Sequence, residues 1–456
     1  MKQDFIDLEL KNSKTLEGVV FNSPGELTLA DLGMNLTVSP TIEISHWELA
    51  HCIAIEHWLT EYQPKYGASS LEQVRGYLET LHHLCQLQEI KQIRLILSIP
   101  VRINPPNIKL AIPFYEYLLY QGLSRELLEI SQDILTSIPS IANDLDDIIM
   151  LKGRALSAIS DRTQSACSLF KNLILQSLPN SYTHIEATAR LGMNQVSLGL
   201  YQEGIENLEN SLKLITDFFN NQQLTTLDLK IQDLGTDVRE TLALYALNNN
   251  NFDRAIELYK QVIVSREKQG LTHKLITPLG HLGVIYRRLA EYQQSIEYLE
   301  AAKIKSQEIN HPNASTWIEH HLGYTLLNQG NIVNAEELCQ KSLAGYIKLQ
   351  DKRGIADCYE QLGLICLSQQ KIKQAEEKFQ EALKLRQSVG NLHGTASSLN
   401  KLAFIFWHKR QYLKFIIFAL RSVNFYIKLG ILNSVRFKRM MKLVYVWTIG
   451  KRNWTT

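Results

Sequence analysis

A glycine returns at a fixed interval through the second half of the chain. Gly283 in HLGVIYRRLAEYQQSIEYLEAA, Gly323 in HHLGYTLLNQGNIVNAEELCQKSL and Gly363 in QLGLICLSQQKIKQAEEKFQEAL stand forty residues apart, and Ala403 takes the next place. Each interrupts a run of helical periodicity, where glycine costs about 1 kcal/mol relative to alanine. A cost repeated at constant spacing points to a second backbone passing too close for a side chain. A second lattice runs in phase: Gly270, Asn310, Gly390 and Gly430 are also forty apart, with Gln350 and Asp351 filling the missing place. These residues end helices readily, because they tolerate left-handed backbone angles. A fixed period of this length prescribes a solenoid, in which each unit buries its apolar face only against its neighbours.

The unit reads as a helical hairpin. Twelve residues after Gly363 comes Ala375, then Phe379 and Ala382; Gly323 is followed in the same way by Ala335, Cys339 and Ser342. Small residues at these offsets let antiparallel helices approach while large ones fill the space between hairpins. With its Leu-Gly pairs at 282–283, 322–323 and 362–363, the region resembles the tetratricopeptide repeats, in a longer form whose period exceeds the usual one by about six residues. The resemblance implies an all-α, right-handed superhelical solenoid of antiparallel hairpins.

The array is expected over 185–430, with Leu191-Gly192 and Leu242-Ala243 marking earlier units and an insertion or pair of lengthened helices near 213–235. Residues 46–180 carry weaker hairpins near 70–100, 108–140 and 147–180. Residues 1–45 hold two β-prone runs, TLEGVVF and ELTLADL, separated by NSPG, and predict a small hairpin or cap. Residues 431–456 predict a basic C-terminal cap helix. The stretch VRGYLETLHHLCQLQEI, Val74 to Ile90, is similar to bacterial repeat proteins of signalling type, some of which carry a nucleotide-binding or protease-like domain.

No chemistry of its own is legible in the chain. It has no GxxxxGK[ST] phosphate loop, HExxH or GxSxG, and no nucleophile, base and acid assemble from local spacing. His46 and His57 share a helical region with His51 and Cys52, but eleven residues separate the outer pair, about 16 Å along a helix, too far for one metal ion. The six cysteines form no CxxC pair and read as small buried apolar groups in a reducing compartment. No catalytic residue, metal or cofactor is expected. The N-terminal MKQDFIDLEL lacks the positive charge of a secretory leader, and no apolar run spans a bilayer, so the expected location is the cytoplasm.

Two surfaces compete for function. Behind the net charge of +2, the last seventy-five residues hold fourteen Lys and Arg, no Asp or Glu, and twelve of the thirty-nine aromatics. Arg410, Lys414, Arg421 and Lys428 fall on one helical stripe, opposite an apolar face with Phe415, Ile416, Phe418 and Phe425. Such a stripe suits an anionic membrane surface, with nucleic acid as a further reading on net charge, or is only the outside of the last hairpin and its cap. The tetratricopeptide resemblance favours the other surface. It implies that the first helix of each hairpin lines a concave groove for a partner peptide or domain, as in a scaffold or regulator.

Carried onto this chain, the groove positions are Asp237, Glu240, Leu244, Leu247 and Asn248; Thr277, Gly280, Val284, Arg287 and Arg288; Trp317, His320, Tyr324, Leu327 and Asn328; and Asp357, Glu360, Leu364, Leu367 and Ser368. Trp317 and Tyr324 are the expected anchors, and Arg287 with Arg288 would orient an acidic group. The plainer alternatives are an ion pair of Arg287 with Glu291 and packing of Trp317 between hairpins. The slots where relatives grip terminal carboxylates with Lys and Asn hold Val284, Tyr324 and Leu364. The sequence leaves oligomeric assembly open.

Overall fold

The computed structural model describes residues 32–34, 45–65, 68–102, 111–138, 145–159, 161–220, 227–308 and 312–428. Its contacts gather into two units, Met1–Asn249 and Asn250–Thr456. The expected N-terminal hairpin lies almost wholly outside the described residues, and the expected cap helix at 431–456 lies entirely outside them.

The first unit runs α1 (His46–Thr60), α2 (Ser70–Gln86), α3 (Ile90–Ser98), β1 (Pro100–Arg102), β2 (Ala111–Pro113), α4 (Phe114–Tyr120) and α5 (Ser124–Ser137). It continues through α6 (Asp146–Ala158), α7 (Thr163–Gln176), α8 (Tyr182–Ser197), α9 (Tyr201–Asn220) and α10 (Leu227–Asn248). Capping boxes start the first two helices: Ser45 and Ser69 accept from the amides of Glu48 and Glu72, whose carboxylates reach back to the serine amides. Leu81, Leu84, Ile93, Phe114, Leu118, Leu127 and Ile134 are completely buried and tie α2 to α5 into one core. The sequence reading missed the strands. Pro100 cannot continue α3, and the chain instead forms an antiparallel ladder in which buried Val101 faces buried Ile112. Around 213–235, α9 and α10 have 20 and 22 residues while α11 has 17; residues 221–226 between them lie outside the described residues.

The second unit repeats one hairpin: α11 (Phe252–Lys268), a 3-10 turn (Thr272–Leu275), α12 (Ile276–Arg288), α13 (Tyr292–Glu308), α14 (Pro312–Gln329) and α15 (Ile332–Lys348). It goes on with α16 (Lys352–Ser368), α17 (Ile372–Ser388), α18 (Leu392–His408) and α19 (Tyr412–Lys428). The periodic glycines lie where the two helices of a hairpin meet. A methyl at Gly283 would stand 2.5 Å from Leu299 Cγ and 3.1 Å from the Ser295 carbonyl oxygen, and one at Gly363 would stand 2.6 Å from the Phe379 ring. The chain is therefore an all-α solenoid of helical hairpins with one two-stranded ladder among the described residues.

Two left-handed turns recur in each repeat. Gly270, Gln350 and Gly390 have φ of +70°, +55° and +67° between hairpins; Asn310 and Gly430 lie outside the described residues. Asn250, at the start of the second unit, and Ala290, Gly330, Gln370 and Arg410, within its hairpins, all have positive φ, again forty residues apart. A further register holds one hairpin to the next. Arg266, Ser306, Tyr346, Arg386 and Tyr426 occupy equivalent places near helix C-termini, and all are buried. Arg266 and Arg386 donate to the carbonyls eight residues on, Lys274 at 2.6 Å and Gly394 at 3.1 Å, while Tyr346 fills the space over Gly354. The two arginine contacts tie the end of one hairpin to the start of the next.

Candidate partner-binding face

The first helices of successive hairpins, α12, α14, α16 and α18, form a row in the second unit. Along it, Trp317 of α14 covers Gly280 of α12, where a methyl would stand 2.5 Å from its Cζ3. The indole meets His281 at 5.6 Å and His321 at 4.3 Å between ring centroids, both edge to face. His281 is held by Tyr259, whose hydroxyl lies 2.9 Å from its Nδ1. Beside this aromatic row, the Arg287 guanidinium lies 4.8 Å from the centroid of Tyr324.

Arg287 is half-buried and has no counter-charge among the described residues. Its Nε is buried without a hydrogen-bond partner, and it makes no ion pair among the described residues, so the plainer alternative of a bridge to Glu291 is not formed. His321 Nδ1 is likewise buried without a partner. Burial pushes Arg287 below arginine's ordinary pKa, and burial followed by neighbouring His320 and Arg287 pushes His321 well below the histidine range. His281 falls to about 4, through burial and then Arg288. The cluster is thus one cation, two neutral imidazoles and two aromatic faces. Its chemistry suits an anionic group that accepts hydrogen bonds, with an apolar neighbour lying on the rings.

The other sequence-derived positions divide sharply. Arg288, Thr277 and Asn328 are exposed, and Tyr324, Leu327, Leu364 and Leu367 are half-buried on the same row. His320 and Glu360 do not line an open surface: they are only 6% and 9% exposed. Glu360 is ion-paired with Arg386 and lies 3.2 Å from Lys401 Nζ, and Asp357 Oδ1 accepts from Arg386 at 2.6 Å. Burial opposes ionisation of Glu360, but Lys401 and Arg386 hold its pKa below the usual carboxylate range. Leu247 and Val284 are also buried. Asp237 and Glu240 belong to the first unit, where both are half-buried and Asp237 lies 3.8 Å from Arg190. The row extends further than the sequence reading carried it, to exposed Phe404, Trp407 and His408 of α18. Ala403 marks that repeat, so the same forty-residue lattice identifies these three.

Two clusters resemble chemical sites without forming one. Cys358 Sγ is 3.7 Å from His320 Nδ1, a pairing hidden by a separation of thirty-eight positions, but the cysteine is fully buried and no reactant can reach it. His51 Nδ1 lies 2.9 Å from His83 Nδ1 across α1 and α2, yet no third ligand joins them among the described residues. On α19, Lys414 and Arg421 are exposed; Arg410 sits in the preceding left-handed turn, and the Lys428 side chain lies outside the described residues. Phe415 is buried in the core, with Ile416, Phe418 and Phe425 packed against it. No described helix is long and apolar enough to cross a membrane.

Comparison with known proteins agrees with this fold. Two tetratricopeptide-repeat family models match, one over residues 314–388 and one over 277–303. No curated protein matches the sequence. Among solved structures, the chain is similar to a signal transduction ATPase with numerous domains from Pyrococcus horikoshii that has a tetratricopeptide-repeat sensor. That match has a TM-score of 0.58 at 11% identity and covers 86% of this chain. The chain spans only 54% of that protein's length. It is also similar to the apo form of RapI, with a TM-score of 0.50 and 15% identity, over 78% of this chain and 98% of that one. At such identities the likeness is one of fold.

Proposed function

We propose that this chain, a member of the tetratricopeptide-repeat superfamily, is a non-catalytic interaction module that receives an acidic partner segment along the first helices of its second unit. The observation that carries this reading is Arg287, a half-buried guanidinium on Tyr324 with no counter-ion among the described residues. A cation taken partly out of water is stabilised by a paired anion, and an incoming carboxylate supplies one. Trp317 and Tyr324 offer rigid ring faces to the residues beside that carboxylate, and the row is already built before a partner arrives. The role is that of a scaffold or regulator in the cytoplasm, and the family's general use in protein interaction supports it.

Panning a random peptide library against the full chain tests the proposal. Enriched sequences should carry Asp, Glu or a terminal carboxylate beside an apolar residue, and Arg287→Ala should abolish their binding. Enrichment with no acidic preference, or binding indifferent to Arg287→Ala, would sink it.

A further inference from the structure

The outward face of α19 departs from the pattern of the hairpins before it. Leu413, Ile417, Leu420 and Ile427 follow one another at spacings of four, three and seven, which places them on one helical stripe. They are 74%, 45%, 55% and 51% exposed. Forty residues earlier, on α17, the same places are Lys373, Glu377, Gln380 and Gln387, all exposed. On α13 they are Gln293, Glu297, Glu300 and Gln307, and on α11 Asp253, Glu257, Lys260 and Glu267; only α15 carries apolar residues there, Val333 and Ile347 at its two ends. The helix therefore has an inner face that closes its own hairpin through Phe415, Ala419 and Tyr426, and a second apolar face turned away from it.

Cations flank this second face. Lys414 and Arg421, both exposed, are seven residues apart along its edge, and each rests on a ring: Lys414 Nζ lies 5.4 Å from the Phe406 centroid and Arg421 Cζ 5.6 Å from that of Phe418. We infer that this face of α19 docks on an anionic lipid surface. Leu413, Ile417 and Leu420 enter the boundary of the acyl chains, and Lys414 and Arg421 meet the headgroups. Charge decides between occupants. Residues 429–456 contain six Lys and Arg and no acid, so covering the stripe with them would set like charges together. A two-fold contact between copies would likewise bring the same cations onto each other. An anionic bilayer answers both the cations and the aliphatic stripe.

The test is cosedimentation of the full chain with phosphatidylcholine vesicles, with and without phosphatidylglycerol. The wild type should bind only the anionic vesicles, and added salt should weaken that binding. Leu413→Gln with Ile417→Gln and Leu420→Gln places on α19 the kind of polar residue that the preceding hairpins carry. It should leave circular dichroism and the unfolding midpoint unchanged while lowering binding by about tenfold or more. Lys414→Glu with Arg421→Glu should lower it by a similar factor. The inference is overturned by a wild type that ignores anionic vesicles, by a glutamine variant that binds as the wild type does, or by light scattering that shows a dimer dissolved by those glutamines. None of these outcomes bears on peptide binding at Arg287.

Discussion

Trp317 rests against the bare backbone of Gly280, with the indole Cζ3 only 2.5 Å from where a methyl group would be. The contact joins the first helices of two successive hairpins, so one missing side chain sets the position of the ring on the candidate binding face. Gly280→Ala gains helix propensity, but the added carbon displaces the indole. Overpacking of this kind costs about 1–3 kcal/mol, more than the propensity gain. Urea unfolding should show a net loss, and peptide binding should weaken together with stability. A variant as stable as the wild type would mean that the ring moves freely.

Arg386 binds two hairpins into one another. It donates to Ser398 Oγ at 2.8 Å and to the Gly394 carbonyl, and it pairs with Asp357 and buried Glu360. Arg386→Met leaves Glu360 buried with Lys401 as its remaining cation, and removing one partner of a buried pair costs about 3–5 kcal/mol. Adding Glu360→Gln should return part of that loss, because an amide is less costly to bury than a charge. A double-mutant cycle on the unfolding free energy measures the coupling; additive losses would show that the two groups act independently.

Acid should weaken the second unit through its histidines. The folded pKa of His281 is depressed from 6.5 to about 4, so the folded state keeps it neutral while the unfolded chain takes up a proton. Its contribution is complete above pH 6.5 and is lost as pH falls toward 4. The loss is on the order of 3 kcal/mol, and His321 acts in the same direction. Comparing wild type with His281→Gln across this window separates the effect from the titration of carboxylates such as Glu360. The variant should show a shallower fall; an identical pH profile would exclude His281 as its source.

The hairpin packing was legible because its signal is written in residue type. Gly283 and Gly363 stand in tight contacts that only glycine permits without displacing a neighbour. The second set of left-handed turns was not legible in that way. Asn250, Ala290, Gly330, Gln370 and Arg410 share one left-handed conformation across five residue types, so the geometry is imposed by the helices on either side. The clamp at Arg266, Ser306, Tyr346, Arg386 and Tyr426 escaped for a related reason: its partners differ from repeat to repeat while its place does not. At the binding face the sequence supplied the row of residues but not their exposure. Glu360 and Arg287 both belong to that row, yet Arg386 neutralises the first and nothing described neutralises the second.

That difference makes Arg287 a test of purpose. Forty and eighty residues on, its place is taken by Leu327 and Leu367, both half-buried, so the fold accepts leucine in this register. Arg287→Leu forfeits the contact with Tyr324, about 0.5–1 kcal/mol, but relieves the burial of an uncompensated charge. The variant should therefore unfold within about 1 kcal/mol of the wild type, or above it, while acidic peptides lose their binding. Thermal unfolding and peptide titration on the same sample check both halves. A large loss of stability would make Arg287 a structural group and remove the reason for placing a ligand carboxylate beside it.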